Sequence, residues 1–361
     1  MDVMMGLMSG TSLDGVDAAL IETDGERFVR SLGFETLPYP DAFRMRLRGV
    51  LECPDDTALA KDVERELTLR HADAVQRLLA STGRGREEIR AIGFHGQTIR
   101  HDPDRQQTWQ MGDAALLSRE TGMDVVHDFR TADMRAGGQG APLAPLYHAV
   151  KAVRLPKPLA VLNLGGVGNV TWVGPEDGDI LAFDTGPGNA LIDDWVYRNS
   201  GLVCDLDGKL AAHGHVDTEV LQALLSHPYF RVAPPKSLDR NSFVVVENLQ
   251  GLSAQDGAAT LTAFTVGAVV RAQDFFPSPP VRWLVCGGGR HNPVLMQQLS
   301  SELGVSVQAV ESEGWNGDAL EAECFAYLAL RSLDGKALSL PSTTGASRPV
   351  SGGRLYRVAA A

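Results

Sequence analysis

The chain lacks any excess of basic residues. Across 361 residues, 33 Lys and Arg stand against 45 Asp and Glu, a net charge of −12. A nucleic acid or an anionic membrane needs a basic footprint, so neither is expected as a partner. Cysteine is scarce and scattered: Cys53, Cys204, Cys286 and Cys324 form no CxxC, so neither a disulfide frame nor a zinc site is expected, and the usage fits a reducing compartment. No apolar run reaches the ~18 residues of a spanning helix. Asp2 leads straight into a strand with no basic stretch before it, so no signal peptide is expected and a cytoplasmic location is. Low-complexity segments and short tandem repeats are absent as well.

Several catalytic signatures are also missing. No GxxxxGK[ST] occurs, since Gly208-Lys209 and Gly335-Lys336 lack the upstream glycine and the following hydroxyl residue. There are no HRD or DFG motifs, no GxSxG elbow and no HExxH. His213 and His215 form a pair in a polar loop, read as solvated. If the chain binds phosphates, it must do so with glycine turns and a divalent cation.

What is present is an ordinary globular composition, 44% hydrophobic and 22% charged, and a length that fits two domains. Strands alternate with helices, which implies α/β architecture. A hairpin is expected over residues 4–22, followed by a loop around Pro38 and Pro40. The spacing then predicts a helix over 57–81, a strand over 90–94, a helix over 113–120 and a strand over 124–127. The glycine cluster AGGQGAP (136–142) reads as a hinge or crossing. This puts a first domain at 1–135, with part of the C-terminal tail able to pack on it, and a second at 136–361. Beyond it come strands over 159–164, 169–173, 180–183 and 283–286, and helices over 189–198, 216–225, 258–275 and 317–330. Asn292-Pro293 reads as a cap followed by proline in the first helical position. The tail after Gly335 reads as loop.

The hairpin tip, SGTSLDG (9–15), is the first candidate site. Gly10 and Gly15 can take positive φ at no steric cost, so the chain can double back, and backbone N–H groups together with Ser9, Thr11 and Ser12 would offer donors to anionic oxygens. Asp14 and Asp17 suit an anion only if a divalent cation lies between, so the tip points to Mg–nucleotide phosphates. Further glycine turns follow strands at Gly165-Gly166 and Gly287-Gly288-Gly289, where ligands of α/β proteins bind. Asp184 follows the apolar run 180–183 and precedes a TGPG turn, which suits a general base, with Asn189 placed to cap the next helix. His95 in HGQT suits a sugar hydroxyl, and Arg130 in DFR suits a carboxylate held by two hydrogen bonds. Glu321, near a helix start, is by itself no more than a dipole partner.

The blocks GLMSGTSLDGVD, GFHGQTIRH, DVVHDFR, GGQGAPLAP, VLNLGGVGNVT, FDTGPGNALIDDW, PPKSLDRNSF and LVCGGGRHN, in this order, resemble those of the anhydro-N-acetylmuramic acid kinases. Residues 247–258 match no block. The family lies in the superfamily of actin, hexokinases and heat-shock chaperones. The resemblance implies a two-domain actin-like (ribonuclease H-like) fold with a nucleotide and substrate cleft, and a homodimer. It implies ATP with Mg²⁺. Gly10, Thr11, Ser12, Leu13, Asp14, Gly15, Val16 and Asp17 would hold the ATP phosphates. Gly165, Gly166 and Asn169 would bind ATP too, with Gly287, Gly288 and Gly289 lining the adenosine side. Asp184 would be the base; His95, Gln97, Arg130 and Glu321 would surround the sugar, and no metal ligand is assigned. The implied reaction opens the 1,6-anhydro ring with water and phosphorylates O6, giving N-acetylmuramic acid 6-phosphate. The competing expectations are a kinase for an amino sugar without the anhydro bridge, and a non-catalytic nucleotide-binding protein of the actin type.

Overall fold

The computed structural model describes residues 1–10, 12–238, 243 and 249–358. It divides into two compact units, Met1–Val153 with Asp318–Ala361, and Arg154–Gly317.

In the first unit, β1 (Asp2–Ser9), β2 (Gly15–Thr23) and β3 (Val29–Pro38) form an antiparallel meander. On the other side of β1, β4 (Ile89–Asp102) and β6 (Val125–His127) run parallel to it. The short β5 (Gln107–Met111) pairs with the end of β4, and Arg354–Tyr356 forms an edge against β6. In the second unit, β7 (Leu159–Leu164), β8 (Val167–Val173) and β9 (Ile180–Pro187) are again an antiparallel meander. Again two parallel strands, β10 (Arg282–Cys286) and β11 (Ser306–Ala309), extend the sheet from its first strand. The orders β3-β2-β1-β4-β6 and β9-β8-β7-β10-β11 are one plan used twice. This is the duplicated architecture expected of an actin-like chain.

β1 is buried on both faces, which is why it reads as an unbroken apolar run. Met5 and Leu7 pack into a core with helices Asp41–Glu52 and Thr57–Thr82. The opposite face carries Gly6, paired in register with Gly93 of β4. A Cβ at Gly6 would stand 1.8 Å from the Ala322 carbonyl oxygen, and one at Gly93 would stand 2.1 Å from that of Phe325. These two glycines make a floor on which helix Leu320–Leu333 lies directly. Backbone contact this close tolerates no side chain.

Helix Thr57–Thr82 begins where Asp56 accepts from the N–H groups of Ala58 and Leu59, and ends at left-handed Gly83 (φ 66°). Asn292 caps helix Pro293–Leu303 through Val294 and Leu295, as its sequence predicts.

Five expectations differ from the structure. The crossing into the second unit falls at residue 154 rather than 136, and the chain returns to the first unit at 318. The glycine cluster at 136–142 is internal to the first unit: Gly140 N–H donates to Asp133 (2.7 Å) and Gln139 N–H donates to the Thr344 carbonyl (2.8 Å). The stretch around Pro38 and Pro40 is the end of β3 and the start of helix Asp41–Glu52, with Pro40 at the cap position. HGQT does not follow a strand but lies inside β4, which continues to pair with β5. The tail adds helix Pro341–Thr344 and strand Arg354–Tyr356. Among the described residues no helix is long and apolar enough to cross a membrane.

Candidate active site

The candidate residues fall into two groups, one in each unit. In the first, the tip between β1 and β2 is held from both sides. Ser9 is buried; its hydroxyl donates to Gln97 Oε1 (2.6 Å) and bonds the Tyr39 hydroxyl (2.7 Å). The Asp14 carbonyl accepts the Tyr39 N–H at 2.9 Å. The left-handed residue of the tip is Leu13 (φ 57°), whose side chain is buried; Gly10 and Gly15 are not left-handed. Gly15 is required instead by close approach, since a Cβ there would meet the Leu37 carbonyl oxygen at 2.6 Å. Ser12 and Asp14 stay exposed and bonded to each other (2.9 Å), whereas Val16 faces the core. Thr11 lies outside the described residues.

Asp17 accepts a hydrogen bond from Thr36 of β3 (2.6 Å). Burial pushes its carboxyl up to about 6 against that bond, with Asp14, Glu321 and Asp318 adding repulsion. A cluster of like charges at a strand end is relieved by protons or by a cation. Among the described residues no three His, Cys, Asp or Glu side chains are arranged as a metal cage. The two carboxylates present, Asp14 and Asp17, are the number that Mg²⁺ takes when phosphates and water are its other ligands.

His95 and Arg130 form a linked pair nearby in the same unit. His95 Nε2 accepts from Arg130 Nε (3.1 Å) and Nη2 (2.9 Å), and Nδ1 bonds the Gly96 carbonyl (2.9 Å). This bonding requires a neutral ring protonated on Nδ1. Burial and the guanidinium beside it hold His95 well below the usual histidine range. The ring leans on Phe325, with centroids 4.4 Å apart. Arg130 also donates from Nη1 to the Gly140 carbonyl (2.7 Å), so the glycine cluster aims the guanidinium. Among the described residues no carboxylate lies within ion-pair distance of Arg130. Burial lowers the pKa of Arg130 and the charge of Glu321 raises it. Glu321 itself is raised by the protein packed around it, Arg130 opposing, although its side chain reaches solvent. Gln97 is fully buried, its carboxamide bonded to Ser9 and to the Thr98 carbonyl (3.3 Å), so it braces the hairpin against β4.

In the second unit three segments converge. The turn Gly165-Gly166 gives its carbonyls to the N–H groups of Gly188, Asn189 and Ala190 (2.8–3.3 Å). Asn189 does not cap helix Ala190–Ser200 with its side chain; Nδ2 donates to the Leu164 carbonyl (2.8 Å). The glycines after β10 approach the same place: a Cβ on Gly287 would meet Asn163 at 2.3 Å, and one on Gly289 would meet Leu164 at 2.6 Å. Gly288 faces Asn189. Gly165, Gly166, Gly287, Gly288 and Gly289 are thus brought together, with Asn189 as a member that sequence reading assigned only to a cap.

Asp184 lies on β9 directly opposite Asn169 of β8, next to a bulge at Gly168. Its backbone is clamped: N–H donates to the Lys236 carbonyl (3.0 Å), and its carbonyl accepts the Tyr229 hydroxyl (2.5 Å). Oδ2 accepts the Leu238 N–H at 2.7 Å. Burial drives the carboxyl up to about 7, the Leu238 bond opposing. A half-buried carboxylate with that pKa is poised to take a proton near neutrality. Tyr229, Lys236 and Leu238 were not singled out in the sequence. PPKSLDRNSF is legible as a block, but its contact with Asp184 spans some fifty residues and leaves no periodic trace; Asp239 to Ser242 of that block lie outside the described residues.

The sequence comparisons agree with one another. The family model described as Anhydro-N-acetylmuramic acid kinase matches residues 2–358. A Paramagnetospirillum magneticum protein of that name is 55% identical over 352 residues, 97% of this chain and 98% of its own. One from Rhodospirillum rubrum is 53% identical, over 98% of this chain and 94% of its own. Among solved structures, the chain is similar to component A of the Acidaminococcus fermentans (R)-2-hydroxyglutaryl-CoA dehydratase, at 13% identity and TM-score 0.49 over 91% of this chain and 99% of that one. With a family model spanning nearly all of its length and relatives above half identity, the chain belongs to the anhydro-N-acetylmuramic acid kinase family.

Proposed function

We propose that Asp184 is the general base of an ATP-dependent kinase that opens 1,6-anhydro-N-acetylmuramic acid and phosphorylates O6. The observation that carries this is Asp184 within β9: its carboxyl is raised to about 7 and accepts the Leu238 N–H, while its backbone is held by the Lys236 carbonyl and the Tyr229 hydroxyl. A water attacks C1 while Asp184 takes its proton. The C1–O6 bond breaks, the electron pair stays on O6, and O6 attacks the γ-phosphorus of ATP. The products are N-acetylmuramic acid 6-phosphate and ADP, and Asp184 releases its proton to solvent. Such a base contributes about 10²–10⁴ in rate.

In this reading Gly10 to Asp17, with Gly165, Gly166 and Asn169, bind the phosphates through backbone donors, and Gly287 to Gly289 line the adenosine side. Mg²⁺, when bound, offsets charge on the transferring phosphoryl group; Asp14 and Asp17 are the residues that would hold it. Arg130, which has no carboxylate at ion-pair distance among the described residues, takes the lactyl carboxylate of the sugar. His95 aims that guanidinium, Gln97 braces the wall behind it, and Glu321 lies beside them. We place the reaction in the cytoplasm, in peptidoglycan recycling; four free cysteines support a reducing compartment. We also propose a homodimer, supported by exposed Tyr197, Leu202, Val203 and Leu206 around the end of helix Ala190–Ser200.

The test is ADP release from Mg–ATP with and without 1,6-anhydro-N-acetylmuramic acid in ¹⁸O water. Sugar-dependent release with label at C1 is expected. Release without label would mean an ordinary sugar kinase, and no stimulation by sugar would mean a nucleotide-binding protein.

A further inference from the structure

Lys236 is buried, and among the described residues no carboxylate pairs with it. Its ammonium sits instead among aromatic faces: 4.4 Å from the ring centroid of Phe275, 4.6 Å from Tyr229 and 5.7 Å from Phe183. It also donates to the Tyr229 carbonyl (3.1 Å). A desolvated lysine carries a cost that cation–π contacts offset only in part, and burial pulls this one down to about 8. Sequence and function so far give it no task.

The same residues surround Asp184. Phe183 precedes it in β9, and the Tyr229 ring that flanks the ammonium sends its hydroxyl to the Asp184 carbonyl. The Lys236 carbonyl holds the Asp184 N–H, and two residues on, Leu238 N–H reaches Oδ2. Lys236 is therefore tethered at both ends, its backbone on the base and its side chain in the cage beside it. Among the described residues the groups facing Asp184 are Asn169 from β8, Tyr229, Lys236 and Leu238; Tyr229 is itself pushed up by burial and by Asp184.

We infer that Lys236 is a positioning residue: its caged ammonium pins the segment 236–238 so that the Leu238 N–H stays on Asp184 and keeps the base ionised and aimed. This rests on the reading of Asp184 as the base. A carboxylate that loses a hydrogen-bond donor rises in pKa. Loosening the segment therefore protonates the base at higher pH, and the acidic limb of the kcat profile moves up.

The experiment is the pH dependence of kcat for Lys236→Met, Phe275→Leu and Lys236→Arg, with Asp184→Asn alongside, using Mg–ATP and 1,6-anhydro-N-acetylmuramic acid. Lys236→Met keeps the length of the side chain and removes its charge. It is expected to lower kcat about tenfold, to raise the acidic limb by about 0.5–1 pH unit, and to leave both KM values within about twofold. Phe275→Leu removes one wall of the cage and is expected to shift the limb in the same direction by less. Lys236→Arg keeps the cation and is expected to return the limb toward wild type. If Lys236→Met does not fold, Phe275→Leu decides. A wild-type limb in the folded variants, with Asp184→Asn inactive, overturns the role of Lys236 alone. Full turnover by Asp184→Asn overturns the base and this inference together.

Discussion

The two sheets repeat one strand order, yet their first hairpins are built differently. Between β1 and β2 the tip spans residues 10–14, polar and carrying a left-handed leucine; between β7 and β8 it is the bare pair Gly165-Gly166. The carboxylate has also moved. In the first unit Asp17 sits on the middle strand of the meander, opposite Thr36. In the second the middle strand carries neutral Asn169, and the acid is Asp184 on the third strand opposite it. Asp17 is bonded to a hydroxyl and raised to about 6; Asp184 has a backbone donor and is raised to about 7. One topology thus supplies two carboxyls with weakened acidity, on different strands of the meander.

The largest difference between the two should appear on exchange for asparagine. Asp184→Asn is expected to lower kcat by about 10²–10⁴, read as sugar-dependent ADP release; equal loss from Asp17→Asn would erase the distinction. Next comes packing. Gly6→Ala drives a methyl into the Ala322 carbonyl, whereas at Gly166 a Cβ would meet only Ala190 at 3.6 Å. Gly6→Ala should destabilise by about 3 kcal/mol or more, and Gly166→Ala by less than about 1 kcal/mol, in thermal unfolding. Asp17→Asn is expected to raise KM for Mg–ATP about tenfold with little change in kcat, and titration of Mg²⁺ against rate checks it. The smallest effect is on stability. Both acids have folded pKa values above the unfolded one, so each stabilises the fold only while protonated, below about pH 4, and that contribution is lost as pH rises through about 6 for Asp17 and about 7 for Asp184. Asp184→Asn should therefore raise Tm at pH 8 by roughly 2 °C and leave it unchanged at pH 3; the gain from Asp17→Asn should be smaller.

The sequence made the apolar strands legible because period and composition agree in them. β7 falls where residues 159–164 predict it, and helix Thr57–Thr82 ends one residue past its prediction. β3 escaped notice because its residues are mostly half-buried or exposed and Pro38 and Pro40 mark its end as a turn. Yet Tyr39, directly after this strand, holds the hairpin tip, and Thr36 within it holds Asp17. At the candidate site, the glycines and Asp184 are the residues that local backbone chemistry in the sequence points to. Lys236, Tyr229 and Asn189 did not, because what they do depends on segments remote in the chain. In sequence Ser9 suits a donor to ligand; in the structure it is a buried brace, a difference set by the arrival of Gln97 from β4.

The glycine floor of β1 and β4 has a consequence for how the protein is made. The element that lies on it, Leu320–Leu333, follows the whole of the second unit in the chain. A ribosome releases residues 154–317 before it releases that helix, so the second unit has all its strands in hand while the first still presents the bare backbone of Gly6 and Gly93. The half of the protein that starts first is therefore the half that finishes last, and a nascent chain arrested before Asp318 exposes this sheet face to whatever chaperone or neighbouring strand meets it.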